Sequence, residues 1–312
     1  MAFGFDNGFW RKAVIVDPWP LSVLVFCIAL VLLLRWFHAP DQRRWLYAAF
    51  FAYGLALSNS QVLFAAAFGL QVLIMFGEPT LCREICFVNS LLFVVDILAS
   101  YLGLLPLLDS HARQNNLLRF IFWGVGASSI ALWVWLAFKT RRFFTEWKTV
   151  FMMGAIFLLG VSLYLYAPIA SMTNPPVNWS YPRTAEGFWH LVTRGQYESL
   201  QPTDSFDHFT GQLRLYGKFA VYDFGLMYVV VALVPFCLLH KMSSRERGWM
   251  LGLLAVYLCL SGVLLVALNP ALDRQAREPV RSFFTASHLV LAVWTGYGLI
   301  LLGTRLARKE NA

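Results

Sequence analysis

The chain has 312 residues, of which 59% are apolar and only 13% charged, and its net charge is +8. Soluble domains are nearer half apolar and a quarter charged, so an ordinary soluble enzyme, a disordered chain and a collagen-like repeat are excluded. Five cysteines are too sparse for a disulfide scaffold. The cations sit between apolar runs, so they read as topology and lipid-headgroup signals and not as a nucleic-acid surface.

The apolar content suffices for roughly nine membrane helices of about 20 residues each. The fold class expected is therefore all-α: a polytopic membrane bundle of about nine transmembrane helices with one long extracytoplasmic loop. Nearly uncharged runs predict spans at 19–36, 45–57, 62–76, 85–108, 117–138, 150–169, 219–239, 249–268 and 283–302. They form one integral membrane domain, 1–312. Six spans lie in 1–169, the loop in 170–218, and three spans with a cytoplasmic tail in 219–312.

Ahead of the first run, Met1 to Pro18 carries Asp6, Arg11, Lys12 and Asp17, which is not a signal-peptide pattern. Either upstream spans are missing or the first helix inserts as a reverse anchor. The second and third runs share one uncharged stretch, broken by Ser58-Asn59-Ser60-Gln61. Four polar residues at mid-depth are costly in lipid, so a hairpin of two short helices is predicted in preference to one kinked helix. Cys82 and Cys86, spaced i, i+4, share a helix face, but no nearby His completes a metal site, and no metal is expected. Cys27, Cys237 and Cys259 read as small core residues.

Asp96 falls near the middle of the 85–108 run. An ionisable group at that depth is a functional candidate by default; a carboxyl hydrogen-bonded to Ser or Asn of another helix is the equal alternative. Pro168 is expected to end the sixth span. Asp17 and Asp223 sit near the outer ends of their spans, where they can face the same vestibule as the loop. Asp273, Arg274, Arg277, Glu278 and Arg281 read as a solvated salt-bridge cluster before the last span.

The loop at 170–218 is rich in Pro, Asn, Arg and aromatic residues, too aromatic to be disordered. It is expected to fold onto the outer mouth of the bundle, with short helices in the interface. Asn174 and Asn178 supply amide donors and acceptors. Arg183 and Arg194 offer planar forks suited to phosphate, and Trp179 and Trp189 can stack on a sugar. These types suit a phosphosugar lipid at a membrane surface; the plainer reading is an interface-anchored loop with its arginines on lipid phosphates. Asn178-Trp179-Ser180 also matches a glycosylation acceptor triplet.

Lys and Arg set the orientation. With the C-terminus inside, the connections near 35–44, 77–84, 139–149 and 240–248 are also inside, and their cation density is roughly twice that of the others. Arg83, offset by Glu78 and Glu84, is the weak point of that pattern.

The run Asn174-Pro175-Pro176-Val177-Asn178-Trp179, with Pro182-Arg183-Thr184, Glu186-Gly187-Phe188-Trp189 and Arg194-Gly195-Gln196-Tyr197, resembles the hallmark loop of a bacterial multi-pass family. That family is similar to the transmembrane-protein-260-like protein O-mannosyltransferases of the GT-C glycosyltransferase superfamily. Tyr53 to Gln61 resembles the family's helix break, with Ser60 where His is usual. Ala13 to Asp17 resembles a segment that usually ends in Glu, and Arg277 to Gly298 resembles the final outer turn and span. The family's early Asp-Ser-Gly-Glu loop has no counterpart here, so the chain corresponds to the later spans and is expected to be inactive alone.

The resemblance implies transfer of a sugar from a polyprenyl-phosphate carrier to a protein or glycan acceptor on the extracytoplasmic side. It also implies residence in a bacterial inner membrane. The partners are membrane lipid, the polyprenyl-phosphate sugar and the acceptor, without nucleic acid. The lipid-linked sugar is a substrate and no cofactor is expected. Asn174, Asn178, Trp179, Arg183, Arg194 and Gln196 are the substrate-binding candidates, and Asp17 and Asp96 the catalytic ones. The alternative is a non-catalytic truncated membrane subunit or lipid-binding scaffold.

Overall fold

A computed structural model describes residues 13–14, 19–104, 116–141, 144–176, 178, 180–192, 202–203, 205–272 and 281–310. The secondary structure among them is helical, with no strand. In chain order the helices are α1 (Trp19–His38), α2 (Arg43–Asn59), α3 (Gln61–Gly77), α4 (Pro79–Tyr101), α5 (Asn116–Thr140), α6 (Trp147–Ser171), α7 (Ala185–Val192), α8 (Phe206–Phe224), α9 (Leu226–Cys237), α10 (Ser244–Leu268) and α11 (Thr285–Glu310).

Local chemistry sets several boundaries. Pro79 opens α4 at a position whose N–H has no helical partner to lose. Ser243 and Glu246 form a reciprocal capping box at the start of α10. Asn269 ends α10 in the left-handed conformation, at φ 44°. Pro168 does not end α6 as expected. The helix tightens to a 3₁₀ stretch at Ser162–Leu165, then continues through Pro168 to Ser171.

Five helical segments are long and apolar enough to cross a membrane by length and composition: α1, Phe122–Thr140 of α5, α6, α10 and Thr285–Thr304 of α11. The pair α8–α9, bent by 105°, makes a sixth if it counts as one span. These five or six candidates are counted among the described residues, against the nine expected from the sequence. α2 has only 17 residues, about 25 Å of helix, which falls short of a hydrocarbon core about 30 Å thick. Even so, such apolar helices fit an integral membrane protein, and their outward faces carry exposed Leu, Val and Phe side chains such as Leu92, Val95, Phe138 and Leu158.

α10 is the most buried of the candidate spans and packs on α3, whose neighbour is α4. α2 lies between α1 and α6, α4 pairs with α5, and α9 with α11. Small residues permit the close crossings. Gly54 of α2 meets Gly160 of α6, and Gly252 of α10 lies against Leu73 of α3. Phe26, Trp36, Phe37, Leu46, Ile74 and Leu253 fill the core between them.

Charges close one end of the bundle. Arg43 at the start of α2 pairs with Glu78 before α4, so α2 and α3 lead the chain back to its starting level. Its second nitrogen reaches Glu146 at 3.2 Å. The hydrogen bond to Glu78 raises the pKa of the Arg43 guanidinium above its ordinary value. Arg83, fully buried, pairs with Glu84 at 2.7 Å and donates to Thr140 and Thr145. The cations and carboxylates that blur the charge pattern near 77–84 are thus consumed inside the protein. We call this the cationic end and the opposite one the loop end.

The 170–218 stretch is less of a loop than expected. α7 lies within it, and its last quarter is the first part of α8. α8 buries Gln212, Leu215, Tyr216, Ala220, Asp223 and Phe224, a helical stripe whose polar members disguise it in sequence. Gly225, at φ 78°, makes the bend between α8 and α9.

Candidate functional site at the loop end

The break at Ser58–Gln61 organises the loop end. Asn59 Nδ2 donates to Ser22 Oγ of α1 at 2.5 Å. Gln61 Nε2 donates to the Tyr164 hydroxyl at 2.9 Å and to the Val192 carbonyl at the end of α7. Tyr164 in turn donates to the Leu57 carbonyl. The break therefore latches α6 and α7 to the hairpin.

Between them, residues 171–184 make a compact turn. Ser171 donates to Asn178 Oδ1 at 3.0 Å, so Asn178 is part of the frame. Arg183 donates through one guanidinium nitrogen to Asn174 Oδ1 at 2.7 Å, and its plane lies 5.4 Å from the Tyr181 ring. Arg183 is exposed. Asn174, Ser180 and Tyr181 all have positive φ, between 47° and 61°. For Tyr181 that conformation costs about 1 kcal/mol or more. It is held because α7 presses onto it: the α carbon of Gly187 sits against the carbonyls of Ser180 and Tyr181, with no room for a side chain. Thr184 Oγ1 caps α7 by accepting from the Gly187 N–H at 3.0 Å.

Of the substrate-binding candidates, Asn174 and Arg183 are brought together, and Asn178 stands beside them. Trp179, Arg194 and Gln196 lie outside the described residues, as do Asp17, Asp273, Arg274, Arg277 and Glu278. Asp96 is not near the middle of its helix. α4 ends at Tyr101, so Asp96 is one and a half turns from the loop end. It lines a groove between α4 and α5, and no residue of 170–192 lines that groove with it.

A second cluster lies where α8, α10 and α11 meet. Asp223 forms an ion pair with Arg281, whose Nε donates to Asp223 Oδ2 at 3.2 Å, and His288 Nδ1 stands 3.4 Å from the same oxygen. Arg281 also stacks over Tyr222 at 4.8 Å. The expectation of a solvated Arg281 is overturned: it is buried, because α8 crosses the turn before α11. Asp223 is likewise buried. Beside it the Tyr216 hydroxyl meets Tyr257 at 3.0 Å and Ser287 at 2.9 Å, next to a π-helical turn at Cys259–Val263. Thr203, Gln212 and Asn269 form an amide and hydroxyl knot at the end of α10. Sequence spacing shows none of these pairings; the only signal is polar residues within apolar runs.

Among known proteins, residues 1–81 match the family described as Protein O-mannosyl-transferase TMEM260 N-terminal domain. The matched stretch includes the Ala13–Asp17 segment and the Ser58–Gln61 break. The 174–197 run lies outside it. No curated protein and no solved structure matches the chain.

Proposed function

We propose that the chain works in a membrane glycosyltransferase of the GT-C type, in which a polyprenyl-phosphate sugar is held at the loop end on the extracytoplasmic side. The observation that carries this reading is Gln61. It belongs to the segment similar to an O-mannosyltransferase domain, and its side chain holds α7, the helix that props up the turn bearing Asn174 and Arg183.

In that reading the acceptor hydroxyl oxygen bonds to the anomeric carbon while the bond from that carbon to the phosphate oxygen breaks. The hydroxyl proton passes to a carboxylate, for which Asp17 is the candidate within the matched segment. Arg183 and Arg194 take up the charge that develops on the departing polyprenyl phosphate, as fixed donors do for leaving anions. Arg183 is suited to this because Asn174 engages one edge of its fork and Tyr181 supports its face, which leaves donors directed outward. Asn178 and Trp179 orient the sugar.

The test is binding of a short-chain polyprenyl phosphate to the detergent-solubilised chain at fixed salt, comparing Ala variants at 183, 194 and 214. Arg214 is an exposed cation of α8 outside the turn. Losing a charge-assisted hydrogen bond should weaken binding roughly 10-fold or more at 183 and 194, against about fivefold for an interfacial cation at 214. Equal small losses at all three would leave the turn as an anchored lid. Sugar transfer by the purified chain would exclude the reading as a non-catalytic lipid-binding subunit.

A further inference from the structure

The groove that holds Asp96 is separate from the loop turn and has its own chemistry. It has a volume of about 380 Å³ and lies between α4 and α5, with Phe64 of α3 at its back. Its wall is apolar, including Phe93, Ala99, Phe122 and Gly126, and its polar members are Asn89 and Asp96. Gly126 is covered by the Phe93 ring, which itself packs on Phe122 and Trp123 at 5.0 and 5.1 Å. The flank of α4 beside the groove exposes Leu92, Val95 and Leu98, so the groove opens sideways to lipid and not into the bundle.

Two charges stand at its outer end. Asp96 is five residues before Tyr101, about 7.5 Å of helix. Tyr101 is exposed there, as aromatic residues are at a headgroup boundary. Arg119 is exposed on α5, three residues before Phe122 and so on the same face one turn nearer the mouth. α4 and α5 are antiparallel, so both charges face the same leaflet. They form no ion pair with each other, and Asp96 has no hydrogen-bond or ion-pair partner among the described residues. A carboxylate lining the groove and a guanidinium one turn outward of its wall, beside an apolar channel, complement a molecule with an ammonium, a phosphate and an acyl chain.

We infer that this groove is a binding site for an aminophospholipid with an ethanolamine headgroup. The primary ammonium donates to the Asp96 carboxylate, the phosphodiester lies toward Arg119, and one acyl chain runs inward along α4 and α5 past Leu92, Phe93 and Val125. A choline headgroup has the same charge but no N–H to donate. A glycerol headgroup has no cation to offer Asp96.

The test uses the full chain in detergent and an acyl-labelled phosphatidylethanolamine, competed by unlabelled phosphatidylethanolamine, phosphatidylcholine or phosphatidylglycerol. For the wild type we expect ethanolamine lipid to compete about tenfold better than choline lipid, the worth of a charge-assisted hydrogen bond at a partly exposed site. Asp96→Asn should abolish that preference while choline lipid still binds, and Arg119→Gln should weaken both. Ala99→Phe fills the groove and should reduce all three competitors; size-exclusion profiles and melting curves establish that each variant is folded. Equal competition by ethanolamine and choline lipids in the wild type overturns the assignment. So does a preference that survives Asp96→Asn, or a stronger response to phosphatidylglycerol. None of these readouts depends on sugar transfer or on the loop turn.

Discussion

Gln61 and Tyr164, 103 residues apart in sequence, are joined by a 2.9 Å hydrogen bond from the Gln61 amide to the tyrosine hydroxyl. The same amide also reaches the last carbonyl of α7. One side chain at a helix break thus ties both α6 and α7 to the α2–α3 hairpin.

Replacing it should release that turn. Gln61→Leu keeps the bulk and removes both donations, each worth about 1 kcal/mol. The variant should melt several degrees lower, and trypsin should cut after the exposed Arg183 at least several-fold faster than in the wild type. Unchanged cleavage at Arg183 would show that the turn is held by other contacts.

Gly187 offers a second handle on the same turn. A methyl group there collides with the carbonyls of Ser180 and Tyr181, so Gly187→Ala must displace either α7 or the turn. Overpacking of this kind costs about 1–3 kcal/mol. Gly154→Ala is the control: it lies in α6 with open space around it, and there alanine should stabilise the helix by up to about 1 kcal/mol. Thermal unfolding of the two variants should shift in opposite directions.

The contrast between these residues and the rest shows what a linear reading can reach. Where the apolar runs lie on described residues they are mostly helical, because a long uncharged run in lipid has no alternative to helical hydrogen bonding. The break at Ser58–Gln61 was legible for the same reason. α8 was not: Gln212, Asp223 and its other polar residues lower its apolarity, and only the packing of α10 and α11 reveals that they point inward. Asp96 sits nearer the end of its helix than the apolar run suggests, because the leucines after Tyr101 extend that run beyond the helix. Arg281 read as a solvated charge because its partner, Asp223, is 58 residues away. Of the loop candidates, the pairing of Arg183 with Asn174 could not be read from their spacing, since it depends on positive φ at residues 174, 180 and 181.

Orientation is open to direct measurement. Ser205 and Ser243 are both exposed and stand at the starts of α8 and α10, at opposite ends of the bundle. Single cysteines at these positions, in a variant lacking the five native ones, should react differently with an impermeant thiol reagent on intact cells. The Lys and Arg pattern predicts labelling at 205 and protection at 243. The reverse pattern would invert the topology and move the loop turn to the cytoplasm.

The pair Asp223 and Arg281 permits the sharpest energetic test, because both groups are buried and they join α8 to the residues that lead into α11. Removing one partner leaves the other charged in a low-dielectric site, which costs about 3–5 kcal/mol. Arg281→Met and Asp223→Leu should each approach that loss. The double variant replaces the pair by apolar groups and should recover most of it, because the isolated charge rather than the lost attraction dominates the penalty. His288, 3.4 Å from Asp223, can share the carboxylate and should make the Arg281 variant the milder of the two singles. The measurement is a double-mutant cycle on thermal or denaturant unfolding in one detergent. Additive losses would mean that the two side chains are not coupled, and that α8 is held against α11 by ring contacts such as that of Phe224 with His288.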